Sequence, residues 1–131
     1  MATIKRFEEI LAWQEAKRLA VMVYAATGRG MFARDYGLKD QIQRAAVSVS
    51  SNIAEGFSRS GNKEFSNFLW IAKGSATEVQ SQLHIAHEIG YIDDGVFDGI
   101  YSCAEKCGVM IYKFIKTLRT SSVSGVKHLN I

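Results

Sequence analysis

Residues 62–90 read NKEFSNFLWIAKGSATEVQSQLHIAHEIG, and the spacing of their apolar side chains decides the fold. Phe65, Phe68, Leu69, Ala72, Ala76, Val79, Leu83 and Ala86 recur at steps of three and four. That period lines one face of an α-helix. Asn62 offers a cap at the start, and Gly90 supplies a stop. The stretch predicts a helix over 63–89.

The same period appears on either side. Leu38, Ile42, Ala45, Ala46, Val49, Ile53 and Phe57 predict a helix over 38–58, with Gly37 before it and Asp40 in its first turn. Phe97, Ile100, Tyr101, Ala104, Cys107, Gly108, Ile111, Phe114, Ile115 and Leu118 predict a helix over 94–119, with Asp93 as its N-cap. A first helix is expected over 9–27, ended by Gly28 and Gly30. The links between these segments are short, which forces antiparallel neighbours. The expected fold is therefore all-α, an antiparallel up-down-up-down four-helix bundle over 1–120. Residues 121–131 are rich in serine and lack any period, so they are expected to be a flexible C-terminal tail.

Composition agrees with a packed bundle. Of 131 residues, 47% are hydrophobic and 22% charged, a balance that argues against disorder. Proline is absent, which suits helix interiors. No apolar run approaches the roughly 18 residues that span a bilayer, so no membrane association is expected. Residues 1–7 are too short and polar for a secretory signal, so the expected location is the cytoplasm. Cys103 and Cys107, four apart on one side of a helix, are badly placed for a mutual disulfide and read as small buried thiols.

The chain carries no recognisable catalytic or metal-binding pattern. His84, His87 and Glu88 do not have the spacing of a zinc-hydrolase helix, and no Glu-x-x-His pair recurs on two helices. Gly28-Arg29-Gly30 follows a helix rather than a strand, so it is no dinucleotide loop. No serine sits in a strand-to-helix elbow beside a base. The expectation is a protein that is not an enzyme and holds no metal or cofactor.

Two features exceed what a monomeric bundle needs. The first helix carries Leu11, Trp13, Met22 and Tyr24 around its circumference, and the third carries Trp70, Ile71, Ile85 and Ile89 off its core stripe. Apolar surface beyond the core usually marks a partner, here expected to be other copies of the chain. Polar residues form the second feature. Arg44, Asn52 and Glu55 border the apolar face of the second helix, and Ser75 and Glu78 that of the third. With small Ser48, Gly56 and Gly74 allowing close approach, they are expected to form a buried network that fixes helix register.

These same segments carry a family likeness. Tyr36-Gly37-Leu38, then 41–49 (QIQRAAVSV) and 51–56 (SNIAEG), resemble the signature of the 23S rRNA-intervening-sequence proteins. Residues 68–75 (FLWIAKGS) with Glu78 resemble its second motif, and Phe7, 13–16 (WQEA) and 90–92 (GYI) also fit. The likeness spans roughly residues 7 to 118. The chain departs from the pattern at Gln43, where the family usually has an arginine, and at Ala33, where it usually has a proline.

The resemblance implies a bacterial four-helix bundle that assembles as a ring-like homopentamer. It also implies kinship with the accessory variability determinants of diversity-generating retroelements, basic bundles that bind a reverse transcriptase and its RNA. Expected partners are then other copies of the chain, and RNA or a nucleic-acid-processing protein. The net charge is +3. Arg44, Arg59, Lys63 and Lys73 around the second and third helices are the expected phosphate contacts. Lys17, Arg18, Lys106, Lys113 and Lys116 are further cations, and Asp40, Glu64, Asp98 and Glu105 dilute them. The alternative is a protein-interaction module with no nucleic-acid role.

Overall fold

The computed structural model describes residues 4–120. Four helices follow one another: α1 (Leu11–Thr27), α2 (Tyr36–Ser58), α3 (Asn62–Glu88) and α4 (Asp94–Thr120). Short 3₁₀ turns at Phe7–Glu9 and Phe32–Arg34 precede α1 and α2. Each helix packs on the next, and α1 also packs on α4. This closed ring of neighbours is the up-down-up-down bundle expected from the short links. Among the described residues no helix is long and apolar enough to cross a membrane. The tail expected over 121–131 lies outside the described residues.

The helix boundaries show where local chemistry overrode the periodic reading. α1 starts two residues late because the Glu9 carboxylate accepts from the Lys5 and Arg6 backbone N–H groups at 3.1 and 2.9 Å, holding a 3₁₀ turn. α2 starts two residues early because Asp35 Oδ1 accepts from the Leu38 N–H at 3.0 Å and caps it. Asp35 Oδ2 also accepts from the Tyr91 hydroxyl at 2.9 Å, which ties the α1–α2 link to the α3–α4 link. The Leu38 N–H bond first, then Tyr91, hold the Asp35 carboxyl below the usual range. α3 is not capped by Asn62. Its N-cap is Gly61, whose φ of 90° only glycine adopts cheaply, and Asn62 is already helical. Asp93 does cap α4, accepting from the Val96 N–H at 2.8 Å.

The core follows the apolar stripes closely. Ile42, Ala46, Val49 and Ile53 of α2 face Phe65, Leu69, Ala72, Ala76, Val79 and Leu83 of α3, all buried. Leu19 and Val23 of α1 and Ile111, Phe114 and Ile115 of α4 complete it. Leu38, Phe68, Phe97 and Tyr101 sit half-buried at its margin. Phe57, Phe65 and Phe114 meet edge-to-face at centroid distances of 6.2 and 5.1 Å, joining α2, α3 and α4 at one end. The α2–α3 seam is tight at Gly56. A Cβ there would lie 2.8 Å from both Phe65 Cδ1 and Phe68 Cβ.

Candidate nucleic-acid interface

The polar residues at the α2–α3 seam separate into an inner and an outer set. Ser75 is buried, and its hydroxyl donates to Ser48 Oγ at 2.9 Å. Asn52 Nδ2 donates to Ser48 Oγ at 2.9 Å and to the Ser48 carbonyl at 2.8 Å. This short chain links α2 to α3 and satisfies its own polar groups. Arg44, Glu55 and Glu78, placed with it by sequence reasoning, lie outside it. The Arg44 side chain is 80% exposed and pairs with Asp40 at 3.0 Å, one turn back on its own helix. Glu55 accepts from Ser58 Oγ at 3.2 Å and pairs with Arg59 at 3.4 Å. Glu78 is exposed beside a shallow surface hollow of about 320 Å³ that Arg44, Ser48 and Gln82 also line. The physical reason is reach: a side chain one helical turn from an opposite charge pairs within its helix before it crosses to another.

The expected phosphate contacts divide the same way. Arg44 and Arg59 spend their charge on neighbouring carboxylates, Arg59 bridging both Glu55 and Glu64 at 3.4 and 3.5 Å. Arg18 and Lys106 both pair with Glu15, at 3.3 and 3.6 Å. Lys63 and Lys73 make no ion pair among the described residues.

The antiparallel register brings those two lysines opposite Lys113, Lys116 and Arg119 of α4, which are likewise without a carboxylate partner among the described residues. Two open hollows mark the junction. One, of about 390 Å³, lies by Lys63, Asn67, Trp70 and Arg119; the other, of about 230 Å³, by Lys73, Tyr112 and Lys113. Between them Trp70 and Tyr112 meet edge-to-face at 6.1 Å. Arg119 lies 5.8 Å over the Trp70 ring, and Lys116 lies 5.8 Å over the Tyr112 ring. Glu105 is the carboxylate along this face, and it accepts from Gln80 Nε2 at 2.9 Å.

The proposed oligomer contacts are distributed unevenly. Leu11, Tyr24, Ile71, Ile85 and Ile89 are exposed. Ile71, Gly74, Glu78, Gln82, Ile85 and Ile89 share the outer crest of α3. Trp13 and Met22 are instead half-buried against the chain's own core. Trp13 packs edge-on to Phe7 at 5.1 Å, and Met22 lies against Gly99 of α4. Trp70 belongs to the cationic α3–α4 face.

The remaining reactive groups are occupied structurally. Cys103 and Cys107 are both buried and free. The Cys103 thiol donates to Glu15 Oε2 at 3.2 Å. Hydrogen bonding with Cys103, then burial, push the Cys107 thiol upward, so it stays protonated at neutral pH. His87 Nε2 meets Asp94 Oδ1 at 2.6 Å across the α3–α4 link, and His84 packs on Phe97 and Tyr101 at 5.1 and 5.5 Å. Among the described residues no group of three His, Cys, Asp or Glu side chains is placed to hold a metal ion.

Sequence reasoning missed the α4 half of the cationic face as a unit, together with Arg119 and Tyr112. Charge spacing on α4 alone signalled it, because 113, 116 and 119 lie three apart.

Comparison with known proteins agrees with this architecture. A crystal structure of a protein with unknown function from the S23 ribosomal protein family of Bacteroides thetaiotaomicron VPI-5482 matches with a TM-score of 0.75 at 22% identity, over 82% of this chain and 100% of that one. No curated protein matches. The family model for 23S rRNA-intervening sequence proteins matches residues 8–113, and the chain belongs to that family.

Proposed function

We propose that this protein is a homo-oligomeric helical scaffold, without catalytic activity, that associates with RNA through its α3–α4 face. The observation that carries the reading is the partition of cations. Arg44 of α2 and Arg59 just beyond it are neutralised by carboxylates, whereas Lys63, Lys73, Lys113, Lys116 and Arg119 converge on one face without such partners among the described residues. Unneutralised Lys and Arg in register are what a phosphate backbone binds, by releasing its counterions. Assembly supports the same function, since several copies multiply a weak site. The exposed crest of Ile71, Ile85 and Ile89 supports assembly, and the ring of five that the family resemblance implies is the expected stoichiometry.

Native mass spectrometry followed by RNA binding at several salt concentrations tests both halves. The expected result is a pentamer whose RNA affinity falls steeply with salt. A monomer overturns the scaffold reading. A stable oligomer that binds no RNA even at low salt leaves the module for protein contacts that the same apolar crest supports.

A further inference from the structure

Trp70 and Tyr112 are each 41% exposed. A single exposed ring needs no explanation, but two in contact make one exposed aromatic patch. They meet edge-to-face, with planes 64° apart, so the pair covers at most one of its four ring faces. Each also has a cation over its ring at 5.8 Å, Arg119 for Trp70 and Lys116 for Tyr112.

Resting on the RNA-associated reading above, we propose that the Trp70–Tyr112 pair is a stacking platform for the unpaired bases of single-stranded RNA. The flanking cations hold the backbone. Ring faces bind any base, because every base has a π-face, and cations alongside follow the phosphates. The hollows on either side of the pair continue the track. From Lys63 to Gln80 it spans about 26 Å at the helical rise of 1.5 Å per residue. A duplex would hide its base faces from the rings, so the platform selects unpaired segments. Charge complementarity also argues against a two-fold contact between copies as occupant. A two-fold contact through this face would set Lys113, Lys116 and Arg119 against their own counterparts, with Glu105 as the opposing charge along the face.

The test uses the full chain carrying Trp13→Phe, so that emission reports Trp70 alone. The probes are a ten-nucleotide single-stranded RNA of mixed sequence, the same length as duplex RNA and as single-stranded DNA, and inorganic polyphosphate as an anion without bases. The expected result is saturable quenching by the single-stranded RNA and none by polyphosphate, even where polyphosphate binds. Tyr112→Leu should weaken single-stranded RNA binding about tenfold while leaving polyphosphate affinity and helix content unchanged. Salt-dependent RNA binding with unmoved Trp70 emission overturns the stacking platform and leaves the RNA-associated scaffold standing. Absence of binding by every nucleic acid and by polyphosphate overturns both. Tighter binding of duplex RNA or of DNA overturns the assignment to single-stranded RNA. A shift of Trp70 emission on dilution of the protein alone makes the face a contact between copies and overturns it as well.

Discussion

α3 makes two seams, and they are built from opposite materials. Toward α2 it offers Phe65, Phe68 and Ser75 to a glycine and a serine, and the cations at that edge are already paired. Toward α4 its outer flank offers Trp70, Lys63 and Lys73 to a row of Lys and Arg that no carboxylate among the described residues neutralises. The first seam is closed and self-satisfied. The second keeps charge and aromatic surface in reserve. Stability and function are thus separated by roughly half a turn of one helix, and substitutions on the two sides should fail differently.

The largest effect is expected at Gly56. An added Cβ would sit 2.8 Å from Phe65 and Phe68, and the nearer atom of Phe68 is its own Cβ, which moves only with the helix. Overpacking of this kind costs about 1–3 kcal/mol, against about 1 kcal/mol gained by replacing a helical glycine. Gly56→Ala should therefore lower the urea midpoint, and Gly56→Val should lower it further. A Gly56→Ala protein as stable as the parent would mean that the seam slides apart easily, and the contrast with the α4 side would lose half its basis.

Next comes the charge contrast itself. Lys113→Ala, Lys116→Ala and Arg119→Ala together should leave folding nearly unchanged and remove up to three phosphate contacts. For single strands each contact contributes about 0.7 to the slope of log affinity against log salt, so the slope should flatten by up to about 2. Arg44→Ala with Arg59→Ala should change it less, because those guanidinium groups are held by carboxylates. Equal effects from the two sets would erase the distinction between the seams.

How far the sequence foretold this contrast depends on range. The core face of α3 was legible because burial obeys the helical period, and the paired state of Arg44 and Arg59 was written four residues upstream in Asp40 and Glu55. The cap of α3 was not legible. Asn62 and Gly61 are both good boundary residues, and the positive φ of Gly61 gave it the cap. Nor was the α3–α4 face. Trp70 and Tyr112 are 42 residues apart by number, and only the register of two antiparallel helices sets them 6.1 Å apart. Trp70 alone resembled an oligomer contact; beside Arg119 and Tyr112 it takes on another character. Of the expected polar network, Ser75 and Asn52 meet through Ser48 at the seam, while Arg44, Glu55 and Glu78 are exposed.

A smaller effect is expected from Ser75→Ala, at the centre of the closed seam. It removes the donor to Ser48 Oγ, while Asn52 still donates to that oxygen. No buried group is left orphaned, so the loss should be that of one net hydrogen bond, about 0.5–1.5 kcal/mol. RNA affinity should not move. A change in affinity without a change in denaturation midpoint would show that the two seams communicate.

The smallest effect is expected at Gly74, which makes it the sharpest probe of what lies outside the chain. Gly74 sits on the crest of α3, between the two seams, and a Cβ there meets nothing within 4 Å. Within a single chain, Gly74→Ala should therefore stabilise the helix by about 0.5–1 kcal/mol through backbone entropy alone. Gly56 and Gly74 then form a matched pair: same helix-interior glycine, same added methyl, opposite sign. Assembly changes the expectation for one of them only. If copies pack through Ile71, Ile85 and Ile89, Gly74 is the point of closest approach on that crest, and the methyl group should raise the denaturation midpoint of the dissociated chain while weakening the oligomer in native mass spectra. A gain in stability with an unaltered oligomer would place the contact elsewhere, toward Leu11 and Tyr24 on α1.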